Sequence, residues 1–248
     1  MIIELFGPPG SGKTTLAHAF AQRLKDCGHK AEVLVSYKPG ESAARLGPGG
    51  SLWAANRVAS AIGRTTKMAC HPYDNAAAFT VAMQLLALLP PKDVIWFLRF
   101  SAYILRLATV WRESKPDQIQ IFDQGFVQVI CSLANYFNVV NHDLLSQALD
   151  VIPVSDLIVL VDAPREVLKA RLVGRLKRES AMERLFESDL TKNLNAARAV
   201  AQMATVLQEH GRSVIRFNEL DLRSLDSACQ RLEMEVETAL RSGQATYN

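Results

Sequence analysis

The residues richest in potential chemistry are 7–15, GPPGSGKTT, which have the spacing Gly7-x4-Gly12-Lys13-Thr14. Glycines at these positions let a backbone curl closely around an anion, and the lysine and threonine at its end add a point charge and a hard oxygen ligand. Pro8 and Pro9 have no amide hydrogen to donate. The donors aimed at phosphate oxygens are therefore expected from Gly10, Ser11, Gly12, Lys13, Thr14 and Thr15, reinforced by the positive end of the following helix. Lys13 is placed to reach the β and γ phosphates, and Thr14 to hold Mg2+. The ligand implied is a nucleoside triphosphate. The chain has no Asn-Lys-x-Asp guanine signature, which leans toward ATP and leaves GTP open. The bland alternative is a glycine-rich turn that binds nothing, but strand, loop, Lys-Thr and helix arrive in the order that phosphate binding demands.

Asp123 is the second chemical marker. It ends the apolar run 118–122, QIQIF, and so stands at a strand's carboxyl end, where it could hold Mg2+ or act as base toward an acceptor hydroxyl. Its competing reading is a cap for the helical segment 126–136. Asp162 precedes Ala163-Pro164 and reads as a structural cap. In the helix opened by Pro164, Arg171, Arg175 and Arg178 fall within a sector about 60° wide beside Leu168, Leu172 and Leu176. Either this is a solvated face partnered by Glu179 and Glu183, or it is a lid whose Arg171 and Arg175 close over the triphosphate and stabilise charge on the transferring phosphoryl group.

The elements that must position these groups follow from apolar periodicity. Residues 2–6, 32–36, 118–122, 156–161 and 213–217 read as five short strands separated by helices, which implies a parallel sheet covered on both faces. Residues 39–115 show no convincing strand and read as a helical region beside the sheet's carboxyl edge, where open α/β sheets bind ligands. Within it Lys92, Arg99 and Arg106 recur every seven residues, as do Trp96 and Tyr103. They form either a basic and aromatic wall for an anionic acceptor with an apolar or ring-shaped part, or the surface of an amphipathic core helix. Arg57, Arg64 and Lys67 are further candidates for the same pocket.

Composition bounds the class. The 248 residues fit one large α/β domain, and 28 Lys plus Arg against 25 Asp plus Glu leave a net charge of +3, too mild to argue for nucleic acid. Cys27, Cys70, Cys131 and Cys229 form no CxxC pair and read as reduced thiols, and the five histidines have no metal-ligand spacing. A secretory signal is not expected, since the first strand opens at Ile2, and the uncharged stretch 75–89 is too short to span a membrane. The expected location is cytoplasmic.

The phosphate loop, Tyr37-Lys38-Pro39-Gly40 after the second strand, Asp123-Gln124-Gly125 after the third, and the strand-Asp162-Ala163-Pro164-helix carrying Arg171 and Arg175 together resemble the thymidylate kinase-like and related nucleoside and nucleotide kinases. The resemblance runs from residue 1 to about 220. It implies a P-loop NTPase fold with a five-stranded parallel sheet in the order 2-3-1-4-5, an acceptor region between the second and third strands, and a lid. Thymidylate kinases commonly have Arg-Glu-Pro-Gly and Asp-Arg-Tyr where this chain has Tyr37-Lys38-Pro39-Gly40 and Asp123-Gln124-Gly125. The resemblance thus speaks to the reaction class more than to the acceptor.

The reading that results is a single kinase-like domain over residues 1–248, with the acceptor region at about 39–115 and the lid at about 164–190. It would transfer the γ-phosphoryl group of ATP–Mg to a small molecule, nucleoside-like or nucleotide-like and anionic. Lys13, Asp123, Arg171 and Arg175 would serve catalysis, with Thr14 and Asp123 on the metal. Homodimerisation is open. The alternatives are a nucleotide-dependent switch or ATPase acting on a protein partner, and a peripheral membrane kinase with a lipid-linked acceptor, suggested by the apolar stretches of 76–111.

Overall fold

The structure is a computed structural model, and it describes residues 1–34, 76–91, 93–115, 117–138, 141–176, 190–218 and 222–245. The chain runs β1 (Ile2–Phe6), α1 (Lys13–Asp26), β2 (Ala31–Leu34), α2 (Ala76–Leu88), α3 (Val94–Arg112), β3 (Ile119–Phe122) and α4 (Phe126–Tyr136). It continues through α5 (His142–Val151), β4 (Leu157–Asp162), α6 (Arg165–Leu176), α7 (Leu190–Glu209), β5 (Val214–Asn218) and α8 (Leu222–Ala245). The sheet is parallel throughout, in the order β2-β3-β1-β4-β5.

The alternation of β1 divides the interior. Ile3 and Leu5 face a core shared with Leu16, Phe20 and Leu24 of α1 and with Leu232 and Val236 of α8. On the opposite face Phe6 joins a larger core built from α2, α3, α4, α5 and α7, including Leu85, Leu107, Ile130, Leu149 and Met203. Both faces of a central parallel strand are covered, which is why β1 reads as a nearly continuous apolar run. The exception is Glu4, which shares the face of Phe6.

α1 buries Leu16, Ala17, Phe20, Ala21 and Leu24, spaced three and four residues apart, so that one stripe packs on the sheet and its start stays at the carboxyl ends of the strands. The expected strands are present with edges shifted by about one residue, as in Leu157–Asp162 against 156–161 and Val214–Asn218 against 213–217; of the second, expected over 32–36, residues 35 and 36 lie outside the described residues. Apolar runs report burial, whereas ladder ends depend on where the neighbouring strand stops.

α3 is an amphipathic core helix. Ile104, Leu107 and Trp111 are buried, and Trp111 packs against Phe122 and Phe126 with ring centroids 4.9 and 5.3 Å apart. Trp96 stacks on Tyr136 at 4.2 Å, and the Arg99 guanidinium lies 4.1 Å from the Trp96 ring centre. The Arg99 charge therefore meets the Trp96 ring, and that ring meets α4, the packing of an amphipathic core helix. Lys92, Arg57, Arg64, Lys67 and 37–40 lie outside the described residues. Among the described residues no helix is long and apolar enough to cross a membrane. Cys27, Cys131 and Cys229 are free thiols, and Cys70 lies outside the described residues.

Candidate active site

The order of strands puts the topological switch beside β1, between β3 on one side and β4 on the other, and the glycine-rich loop springs from the carboxyl end of β1. Gly7 passes so close to β4 that a Cβ there would lie 2.0 Å from the Val161 carbonyl oxygen. Gly12 then enters α1 in the left-handed region, at φ 107°, a conformation that side chains penalise. α6 packs over the loop, with Leu172 Cγ 3.4 Å from where a Cβ of Gly10 would sit.

Two cations converge on this loop. Lys13 is buried, and its Nζ donates to the carbonyls of Gly7 at 2.7 Å and Pro8 at 3.0 Å, so the ammonium is held across the mouth of the loop. Arg171 Nη1 donates to the carbonyls of Gly10 at 3.3 Å and Ser11 at 3.1 Å. The expected lid arginine thus reaches the loop itself. Arg175 belongs to the same helix, but its side chain lies outside what the structure describes, as do residues 177–189.

Asp123 is fully buried and accepts a hydrogen bond from Thr14 Oγ1 at Oδ2, 2.9 Å away. It does not cap α4, because Gly125 occupies the N-cap position. The capping alternative for Asp123 is therefore not what the fold uses. Asp162 ends β4 and accepts from the Ala163 amide at 2.8 Å, a local bond that fits its structural reading.

The groups present suit both expected ligands. Ser11 Oγ is buried with no hydrogen-bond partner among the described residues, at the bend of a loop whose amides precede a helix start, an arrangement suited to phosphate oxygens. The Thr14 hydroxyl and Asp123 carboxylate are hard oxygen donors of the kind Mg2+ prefers.

Further residues support the site: Glu4 and Gln128, which spacing does not single out, and Gly125 and Tyr103, whose parts here differ from those their motif and periodicity suggested. Glu4 is fully buried beneath the start of α4, where its Oε1 accepts from the Val127 amide. Burial pushes its carboxyl up to about 7, opposed first by the Val127 amide and then by the Arg212 charge. Gly125 makes room for it, since a Cβ there would lie 2.5 Å from Glu4 Cγ and Cδ. Tyr103 of α3 donates to the Gln124 carbonyl at 2.5 Å, so α3 holds the turn that carries Asp123. Gln128 Oε1 accepts from the Gly7 amide at 2.9 Å. A lone glutamate at an inward position of a buried strand was a readable signal for the first, because an ionisable group in such a place needs a local reason. The bonds of Tyr103 and Gln128 leave no mark in spacing.

Comparison with known proteins bears on the fold that carries this loop. The family model described as ATPase family associated with various cellular activities (AAA) matches residues 3–46, a span that takes in β1 from Ile3, the loop, α1 and β2. No curated protein matches the sequence significantly. Among solved structures, the deoxyadenosine kinase from M. mycoides with bound dATP is similar at a TM-score of 0.51 and 13% identity, covering 94% of this chain and 99% of that one. The same kinase with bound dCTP gives a TM-score of 0.48 at 13% identity, over 96% of this chain and 100% of that one. The resemblance carried by the phosphate loop and Asp123 is thus met at the level of architecture: the chain has the P-loop NTPase fold, with a five-stranded parallel sheet in the order β2-β3-β1-β4-β5.

Proposed function

We propose that the protein is a cytoplasmic phosphotransferase that moves the γ-phosphoryl group of ATP–Mg to a small-molecule acceptor of nucleoside-like or nucleotide-like character. The observation that carries this reading is the 2.9 Å contact of Thr14 with the buried Asp123, which joins the end of a phosphate loop to a strand-end carboxylate 109 residues away. When bound, ATP–Mg supplies the transferable phosphoryl group and the metal charge. The amides of Gly10 through Thr15 would hold the triphosphate, and Lys13, whose ammonium bonds the Gly7 and Pro8 carbonyls, would supply the charge for the β and γ phosphates. Thr14 would hold the metal together with Asp123, or Asp123 would serve instead as the base toward an acceptor hydroxyl; their 2.9 Å contact supports either role. Arg171, joined by Arg175 from the same helix, adds positive charge at the loop where negative charge builds up during transfer.

The acceptor reading is supported by the fold shared with deoxyadenosine kinase and by the way Tyr103 ties α3 to the Asp123 turn. Gln124 stands where related kinases carry an arginine, so less positive charge reaches the acceptor at this edge. The test is a thermal-shift screen of deoxynucleosides, nucleosides, nucleotides and sugars with a non-hydrolysable ATP analogue and Mg2+, followed by measurement of acceptor-dependent ADP release. Acceptor-dependent turnover supports the kinase. ATP hydrolysis indifferent to every small molecule and stimulated by a protein partner would replace it with the ATPase reading.

A further inference from the structure

β1 and β3 part company just below the loop. Their register pairs Glu4 with Phe122, the last residue of β3, so the ladder ends before β1 reaches Gly7. The side on which the Gly7 amide points follows from the alternation of the strand. The Met1 carbonyl accepts from Gln120 on the β3 side, and the Ile2 carbonyl accepts from Asp156 on the β4 side. Odd-numbered residues therefore direct their backbone groups toward β3, and the Gly7 amide points into the space that β3 has already left. A backbone donor in that position needs a partner.

Gln128, in the first turn of α4, provides it. Its Oε1 accepts from Gly7 at 2.9 Å. Its Nε2 donates to Ser132 Oγ at 3.3 Å, and the Ser132 hydroxyl donates in turn to the Gln128 carbonyl at 2.8 Å. The amide is thus fixed at both ends, with its oxygen directed to the loop. The consequence is a bracket: the loop's first residue is tied to α4 through Gln128, and the threonine after its lysine is tied to the residue three before α4 through Asp123. Val161 stands on the other side of Gly7, so the loop's origin is held between β4 and α4.

We propose that Gln128 is a positioning residue that ties the first glycine of the phosphate loop to the β3–α4 corner and thereby fixes the loop's amides for nucleotide and their spacing from the Asp123 carboxylate. The proposal rests on the reading of the loop as a nucleotide site. Gln128→Met keeps the length of the side chain and removes the acceptor; Gln128→Glu keeps an acceptor oxygen for Gly7.

The test is the calorimetric affinity of the full chain for a non-hydrolysable ATP analogue with Mg2+, measured on folded protein well below each variant's melting temperature. Gln128→Met is expected to bind about tenfold more weakly than the natural protein, the size of effect that follows when a buried donor loses its partner, and Gln128→Glu more tightly than Gln128→Met. A purely structural role would lower the melting temperature and leave the affinity within about twofold; that result, or Gln128→Glu binding no better than Gln128→Met, overturns the proposal. Should Gln128→Met not fold, Ser132→Ala, which frees the amide to turn, decides in the same way: weakened binding supports the role and unchanged binding overturns it. Failure of the natural protein to bind the analogue would overturn the nucleotide site and Gln128's role together, whereas tight binding by both the natural protein and Gln128→Met would remove only the latter.

Discussion

Replacing Glu4 with glutamine should change the pH dependence of stability in a way that can be worked out in advance. Glu4 lies on the β1 face that packs against α4, fully buried, and loss of hydration lifts its carboxyl from an ordinary 4.5 to about 7. A folded-state value above the unfolded one means that the native protein holds its proton longer, so unfolding releases that proton between the two values. The stability this contributes is complete below about pH 4.5 and is lost as the pH rises toward 7, where the lifted value corresponds to about 3 kcal/mol. Glu4→Gln cannot titrate. It keeps an oxygen for the Val127 amide, although its new amide group faces the place of Glu4 Oε2, which has no partner among the described residues. That gives a constant cost of about 1–3 kcal/mol, independent of pH. Arg212 and Cys131 stay in place in both proteins, and other carboxylates titrate alike in both, so the difference between them isolates Glu4. Urea unfolding of both proteins at several pH values from about 4.5 to 8 should show the variant gaining about 3 kcal/mol relative to the natural protein across that window. A difference that stays flat, or moves the other way, would refute the argument that burial governs this carboxyl.

Other expectations follow from the same geometry. Lys13→Ala should reduce phosphoryl transfer by about 100-fold or more, with affinity for the nucleotide lost before the fold, because the ammonium bonds the carbonyls of the loop itself. Full activity in a transfer assay would show the donor site to be misread. Asp123→Asn should lower turnover far more than affinity for an ATP analogue, and equal losses in both would point to a structural role. Gly125→Ala forces a methyl group to within 2.5 Å of Glu4 Cγ and should cost about 2 kcal/mol in urea unfolding, since a buried side chain has little room to yield. His142, hydrogen-bonded to Glu209, titrates above its ordinary 6.5, and the stability it lends is complete below that value and lost as pH rises through the lifted one. NMR titration should show the His142 value falling in Glu209→Gln.

Much of the phosphate loop is legible in the sequence. Gly7, Gly12, Lys13 and Thr14 act through a local backbone path, so their spacing alone encodes a loop, a helix start and a charge. The helix over Phe126–Tyr136 was equally plain from its composition. Asp123 was ambiguous, because a strand-end aspartate before a helix serves as a cap or as a ligand with the same residues on either side. The fold sets the cap aside by putting Gly125 at that position, and the sheet brings Thr14 to Asp123 across 109 residues. The basic and aromatic lines of α3 stay open between a ligand wall and a core helix for a related reason: helical periodicity places side chains on a face, but cannot say that Trp96 of that face meets Tyr136.

By itself the sequence determined the chemistry available at the carboxyl end of β1 and the alternation of buried strands with helices, because both depend on residues close together in the chain. The sheet order was an expectation of resemblance and not of spacing, and it needed long-range pairing to be seen. Tertiary structure alone decided that Glu4 lies under Gly125, that Arg171 reaches the loop, and that Gln128 completes the hydrogen bonding that β3 leaves unfinished at Gly7. The physical reason is common to all three. Burial and hydrogen-bond satisfaction are properties of the space around an atom, and residues far apart in sequence fill that space.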